Sequence, residues 1–203
     1  MTDRLQQVFE HKRVSSEQFR EVQRKHGLLL APQNLIADPA TREGAIELHK
    51  GLHWVNLELS EFLGASQAEQ PEELADVLHF LVEFAILAGF DYDVVPVSPD
   101  ESEDRMQYML EASKDDGLVF PDYQTNARFT ILQALRIAEL LKNKPWKQTL
   151  KPAPNPEILA NLVCGLFYWY GATVRTTGLD AQQLFDEFNR KEGVNYQRIA
   201  TGV

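Results

Sequence analysis

From Leu74 to Ala88 the chain reads LADVLHFLVEFAILA, apolar on nearly every side of a helix except at Asp76, His79 and Glu83. A helix with no polar face has to be surrounded by other elements, so this segment belongs in the middle of a bundle. Helical periodicity dominates elsewhere too, and no stretch sustains the two-residue alternation of a strand. The expected fold is therefore all-α. The pattern predicts helices over 3–12 and 16–26, the second capped by Ser15 or Ser16. A long helix follows from Thr41 to Leu63, ending at Gly64, with Ile46, Leu48, Leu52, Val55, Leu59 and Phe62 as its core stripe. The next opens at Pro71 and stops at Gly89. Further helices are expected over 126–142, 155–176 and 180–199. Residues 91–124 are acidic and turn-rich, with Pro96, Pro99 and Pro121 and one short helix around 105–112. They read as an insertion or lid on a single domain spanning 1–203.

Composition narrows the class. With 30 Asp plus Glu against 20 Lys plus Arg, nonspecific binding of nucleic acid is a poor expectation. The one cysteine, Cys164, excludes an internal disulfide and fits a reducing compartment, where it reads as a core thiol. The N-terminal residues lack the apolar core of a signal peptide, so a cytoplasmic protein is expected. The apolar run Ile158 to Val174 is short for a span, contains Asn161 and lacks basic flanks, so no membrane partner is expected.

Two acid pairs interrupt this apolar pattern. Glu58 and Glu61 are three apart on one helix, Glu73 and Asp76 three apart on the next, and residues so spaced share a helix face. On a solvated face such repulsion costs about 0.2–0.5 kcal/mol, whereas an uncompensated buried charge costs about 3–5 kcal/mol. Glu73 taken alone suits the dipole of a helix's first turn, and Glu58 with Glu61 suits a solvated stripe. Asp76 resists such an account, because Leu74, Ala75, Val77, Leu78, Phe80 and Leu81 leave it little solvent. The short connector from Gly64 to Gln70 sets the two helices antiparallel and brings the pairs together. Four hard carboxylates on rigid helices suit Mg²⁺, or Mn²⁺, with water completing the octahedron. Asp76-x-x-His79 superficially matches half of a di-iron site, but no second such element appears, and His79 fits better as a core histidine.

Glu58-x-x-Glu61, eleven intervening residues, then Glu73-x-x-Asp76 followed by VLHFLVEF resembles the ExxE and ExxD metal motifs of the all-α nucleoside triphosphate pyrophosphohydrolases. The C-terminal FDEFNRKEGVNYQRIATGV looks like the dimeric dUTPase branch, including its phage dUTPase and dCTPase members. That branch ends its core with a helix reading approximately Y-x-x-K-N-x-x-N-x-x-R-Q-x-x-G-Y. Lys191, Asn195, Arg198 and Gly202 stand at the matching positions, with departures at Glu192 for Asn, Ile199 for Gln and Val203 for Tyr.

The resemblance implies a homodimeric helical bundle that hydrolyses a deoxynucleoside triphosphate to the monophosphate and pyrophosphate. The expected substrate is dUTP, with dCTP or a modified pyrimidine nucleotide as the alternative. Outside the enzymes, the alternative is a non-catalytic helical dimer or regulatory scaffold. Glu58, Glu61, Glu73 and Asp76 would hold the metal, and one of Glu58 and Glu61 would orient the attacking water. Lys191 and Arg198, seven residues apart on one helix face with Asn195 between them, would grip phosphate together with that Asn. Lys142, Lys144 and Lys147 form a basic knot that either joins them or complements a helix dipole, and Arg128 and Arg136 are weaker candidates of the same kind. For the base, the family's helical Gln matches Gln23, while Gly27 replaces the Asn that follows it. Trp54, one turn before Glu58, either stacks on the base or fills core.

Overall fold

The computed structural model describes residues 3–25, 36–97, 104–112, 119–141 and 153–201. Within them lie seven α-helices and no strand: α1 (Arg4–Lys25), α2 (Arg42–Gly64), α3 (Gln70–Leu87), α4 (Arg105–Glu111), α5 (Tyr123–Leu140), α6 (Pro156–Thr177) and α7 (Ala181–Thr201), with one 3₁₀ turn at Tyr92–Val94. The all-α expectation holds. α3 packs against α2, α7, α1 and α6, and the principal other pairs are α5 with α6, α2 with α5, and α4 with α6. Leu74, Val77, Leu78, Leu81, Val82 and Phe84 of α3 are all fully buried, which is why this helix carries no polar face.

Caps written in the sequence set most boundaries. The Thr41 hydroxyl accepts from Gly44 N at 3.0 Å, Asp122 from Thr125 N at 2.7 Å and Asn155 from Glu157 N at 2.8 Å. Asp180 and Gln183 close a reciprocal box at the start of α7. Asp3 and Asp104 do more. Asp3 accepts from Leu5 N at 3.0 Å and from Arg105 Nη1 at 2.6 Å, while Asp104 accepts from Met106 N at 3.1 Å and pairs with Arg4 Nη1. Each aspartate thus caps its own helix and holds the first arginine of the other.

Three expectations need correction. The two N-terminal helices are one: α1 runs unbroken, and the Ser15 hydroxyl donates back to Lys12 O at 3.2 Å instead of capping. The weak helix preference of two serines does not break α1, in which both side chains are buried. Within 91–124, α4 packs into the core, with Met106, Met109 and Leu110 buried against α6. That contact is close enough that a Cβ on Gly171 would lie 2.3 Å from Met109 O. Cys164 is only half-buried and borders a hollow of about 220 Å³ between α4 and α6. Ile46 is half-buried, and the core stripe of α2 instead begins with Gly44 and Ala45. No helix among the described residues is long and apolar enough to cross a membrane.

Candidate metal centre

The connector between α2 and α3 is five residues long, closed by Ser66, whose amide and hydroxyl both donate to Glu69 at 3.0 and 2.6 Å. So short a link folds α3 back along α2. Glu58 on α2 thereby meets Glu73 and Asp76 on α3, and one carboxylate oxygen of each lies within 4.8 Å of the others. All three side chains are half-buried. Glu61 is not one of the three. It stands exposed one turn nearer the connector, close enough that its charge raises the pKa of both Glu58 and Glu73.

The electrostatics record the crowding. Burial first, then the charges of Asp76, Glu61 and Glu73, push the Glu58 carboxyl up to about 7. Glu73 is raised by burial and by Asp76 and Glu61. Asp76 is raised by burial, an effect only partly offset by its contact with Lys191. Three oxygens of the hardest ligand class, held on two helices and short of positive charge, fit a divalent cation of the Mg²⁺ or Mn²⁺ type, although nothing in the donor set selects one metal.

α7 supplies the adjoining cations. Lys191 Nζ lies 2.6 Å from Asp76 Oδ2 and 2.7 Å from Glu72 Oε1, and Arg190 reaches the other oxygen of Glu72 at 3.2 Å. Burial alone would lower the Lys191 pKa; the hydrogen bonds to Asp76 and Glu72 outweigh it and hold the ammonium above its ordinary value. Directly behind, the His79 ring stacks on Phe188 with centroids 4.1 Å apart, and its Nδ1 is 3.4 Å from Glu192 Oε2. His79 is the core histidine the sequence suggests. Burial, then the charges of Lys12 and Lys191, hold it well below its usual pKa, so it is neutral at pH 7. Asn195 and Arg198 follow Lys191 about 6 and 10 Å further along α7.

Trp54 is not core. It is 46% exposed and stacks on Phe80 with ring centroids 5.8 Å apart. Trp54 lies one turn before Glu58, and Phe80 one turn after Asp76, so the aromatic pair forms a flat shelf beside the acids. Lys12 approaches the same Phe80 ring at 5.9 Å and pairs with Glu83 at 3.0 Å. Gln23 falls near the end of α1, its side chain outside the described part, and Lys142, Lys144, Lys147 and Gly202 lie outside the described residues.

Sequence reasoning missed Glu72, Arg190 and Phe80. Glu72 stands four residues before Asp76 and Phe80 four after it, the spacing of one helix face, which was the available signal. Comparison with known proteins adds no neighbour: no protein-family model matches this sequence, and neither curated proteins nor solved structures give a match.

Proposed function

We propose that this chain is a divalent-metal-dependent pyrophosphohydrolase of deoxynucleoside triphosphates, with a pyrimidine nucleotide, dUTP first, as substrate. The observation that carries the reading is the meeting of Glu58, Glu73 and Asp76 within 4.8 Å beside Lys191. An acid-lined pocket repels a polyphosphate on its own. A bound Mg²⁺ would supply charge neutralisation and polarisation of the phosphate oxygens. Glu58, Glu73 and Asp76 would hold it. Glu61, exposed at the rim and outside the three, is the carboxylate left to orient the attacking water and accept its proton.

Lys191 meets Asp76, Asn195 and Arg198 follow it on the same face of α7, and charge-assisted hydrogen bonds from such groups would orient a triphosphate. Trp54 and Phe80 offer a stacking surface for the base, whose edge Gln23 would read by donating and accepting at once. The family likeness adds the homodimer as part of the same proposal.

Incubation with each deoxynucleoside triphosphate, with and without Mg²⁺, is the direct test. Equal release of pyrophosphate and monophosphate, greatest for dUTP and dependent on metal, is expected. dCTP turned over in preference would move the base assignment, and no turnover of any nucleotide would leave a non-catalytic scaffold.

A further inference from the structure

We infer that Lys191 is the resident counter-cation of the acid cluster, displaced from Asp76 when a divalent ion enters and thereby released to meet the incoming phosphate. The inference rests on the cluster being a divalent-ion site, and adds how that site is kept before the ion arrives. Asp76 belongs to two groups at once. Its carboxylate is one of the three whose oxygens lie within 4.8 Å, and its Oδ2 is 2.6 Å from Lys191 Nζ. An ion seated on those three carboxylates lies next to an ammonium of the same sign, so each weakens the other's hold on Asp76, and the weakening is reciprocal.

Glu72 gives the ammonium somewhere to stay. It lies outside the group of three, is half exposed, and holds Lys191 Nζ at 2.7 Å through Oε1 and Arg190 at 3.2 Å through Oε2. Lys191 can therefore leave Asp76 while still paired with Glu72. The Lys191 stem is mostly covered, its side chain 18% exposed, so the ammonium moves about a fixed root and not freely through solvent. Released, it shares a face of α7 with Asn195 and Arg198. A charge that closes the site without metal would then serve the substrate once metal is bound.

Calorimetric titration of MgCl₂ into the nucleotide-free protein tests this. Lys191→Met, which keeps the stem and removes the charge, is expected to bind Mg²⁺ at least about fivefold more tightly than wild type. Arg190→Gln, which touches Glu72 but not Asp76, should change the affinity less than about twofold. A lysine that merely staples α7 to α3 would lower the melting temperature of Lys191→Met and leave Mg²⁺ affinity unchanged; that result, or weaker binding, overturns the inference.

Wild-type protein gives a second reading that does not depend on the variant folding. Labelling of Lys191 by an amine-reactive ester, read by peptide mass spectrometry, should accelerate several-fold on adding Mg²⁺ and slow again when inorganic pyrophosphate follows. Labelling indifferent to Mg²⁺ overturns the handover. If wild type takes up no Mg²⁺ even with pyrophosphate present, the metal-centre reading fails and this inference with it. Normal uptake with no effect at Lys191 removes the inference alone.

Discussion

Glu58→Gln tests the electrostatics of the cluster without reference to turnover. The Glu58 carboxyl is raised from 4.5 to about 7, first by burial and then by the neighbouring acids. At about 1.4 kcal/mol per pH unit, that rise sets a ceiling of about 3 kcal/mol against the folded state once the group is ionised. Solvent reaches a substantial part of the side chain and screens it, so about 1 kcal/mol is the expected effect. Because the folded-state pKa lies above the unfolded value, the bound proton stabilises the fold fully below about pH 4.5, and that contribution is lost as pH rises through 7. Gln imitates the protonated acid at every pH. In EDTA at pH 8 the variant should therefore melt about 2–4 °C above wild type, and the gap should shrink as pH is lowered toward 5. Adding Mg²⁺ at pH 8 should reverse the order, because only wild type keeps all three carboxylates. Thermal melts followed by circular dichroism across this pH range decide it. A variant no more stable than wild type in EDTA at pH 8, or a gap that does not change with pH, would show that Glu58 is solvated and that the three acids do not crowd one another.

The remaining expectations concern the other parts of the site and its frame. Asp76→Asn should lose Mg²⁺ uptake in calorimetry and at least about a hundredfold in nucleotide turnover while keeping its helical circular dichroism, since Asp76 serves both the metal group and Lys191. Trp54→Ala should raise KM for the pyrimidine nucleotide about tenfold with little change in melting temperature, because the ring is 46% exposed and stacks on Phe80 at the edge of the acids; a large stability loss with unchanged KM would make it a packing residue after all. Gly171→Ala should cost about 1–3 kcal/mol in denaturant melts, since the new Cβ would lie 2.3 Å from the Met109 carbonyl and force α4 off α6.

How far the sequence disclosed this site follows from the range of each interaction. Helix geometry alone aligns Glu58 with Glu61 and Glu73 with Asp76, and a five-residue connector forces the two helices together, so the meeting of acids across α2 and α3 was legible. Which three of the four converge was not. Glu58 and Glu61 are one turn apart on the same face, yet Glu61 is exposed and Glu58 half-buried, a difference set by the packing of α2 on α3 that spacing alone does not encode. Trp54 stayed open between stacking and core because large aromatics are mostly buried, whereas here it is 46% exposed and Phe80 covers one face of its ring. The continuous α1 was hidden because serine preference is local information, while burial of α1 depends on helices far along the chain.

The α3–α7 contact shows what no local pattern could carry. Glu72 and Lys191 are 119 residues apart, yet Arg190, Lys191 and Glu192 each find a partner on one stripe of α3, at Glu72, Asp76 and His79. Three consecutive residues span about 200° of a helix, so contacts by all three fix the rotation of α7 as well as its position. Glu192 is the innermost, 3% exposed, and neither of its oxygens has a hydrogen-bond partner among the described residues beyond its 3.4 Å approach to His79. A buried acid against a neutral imidazole is a weak source of stability, and a leucine packed on Phe188 would serve the core better. What the pair does supply is a stop: with Glu192 turned inward and Arg190 outward, Lys191 is left pointing along the groove at Asp76. Glu192 therefore bears on aiming the lysine beside it.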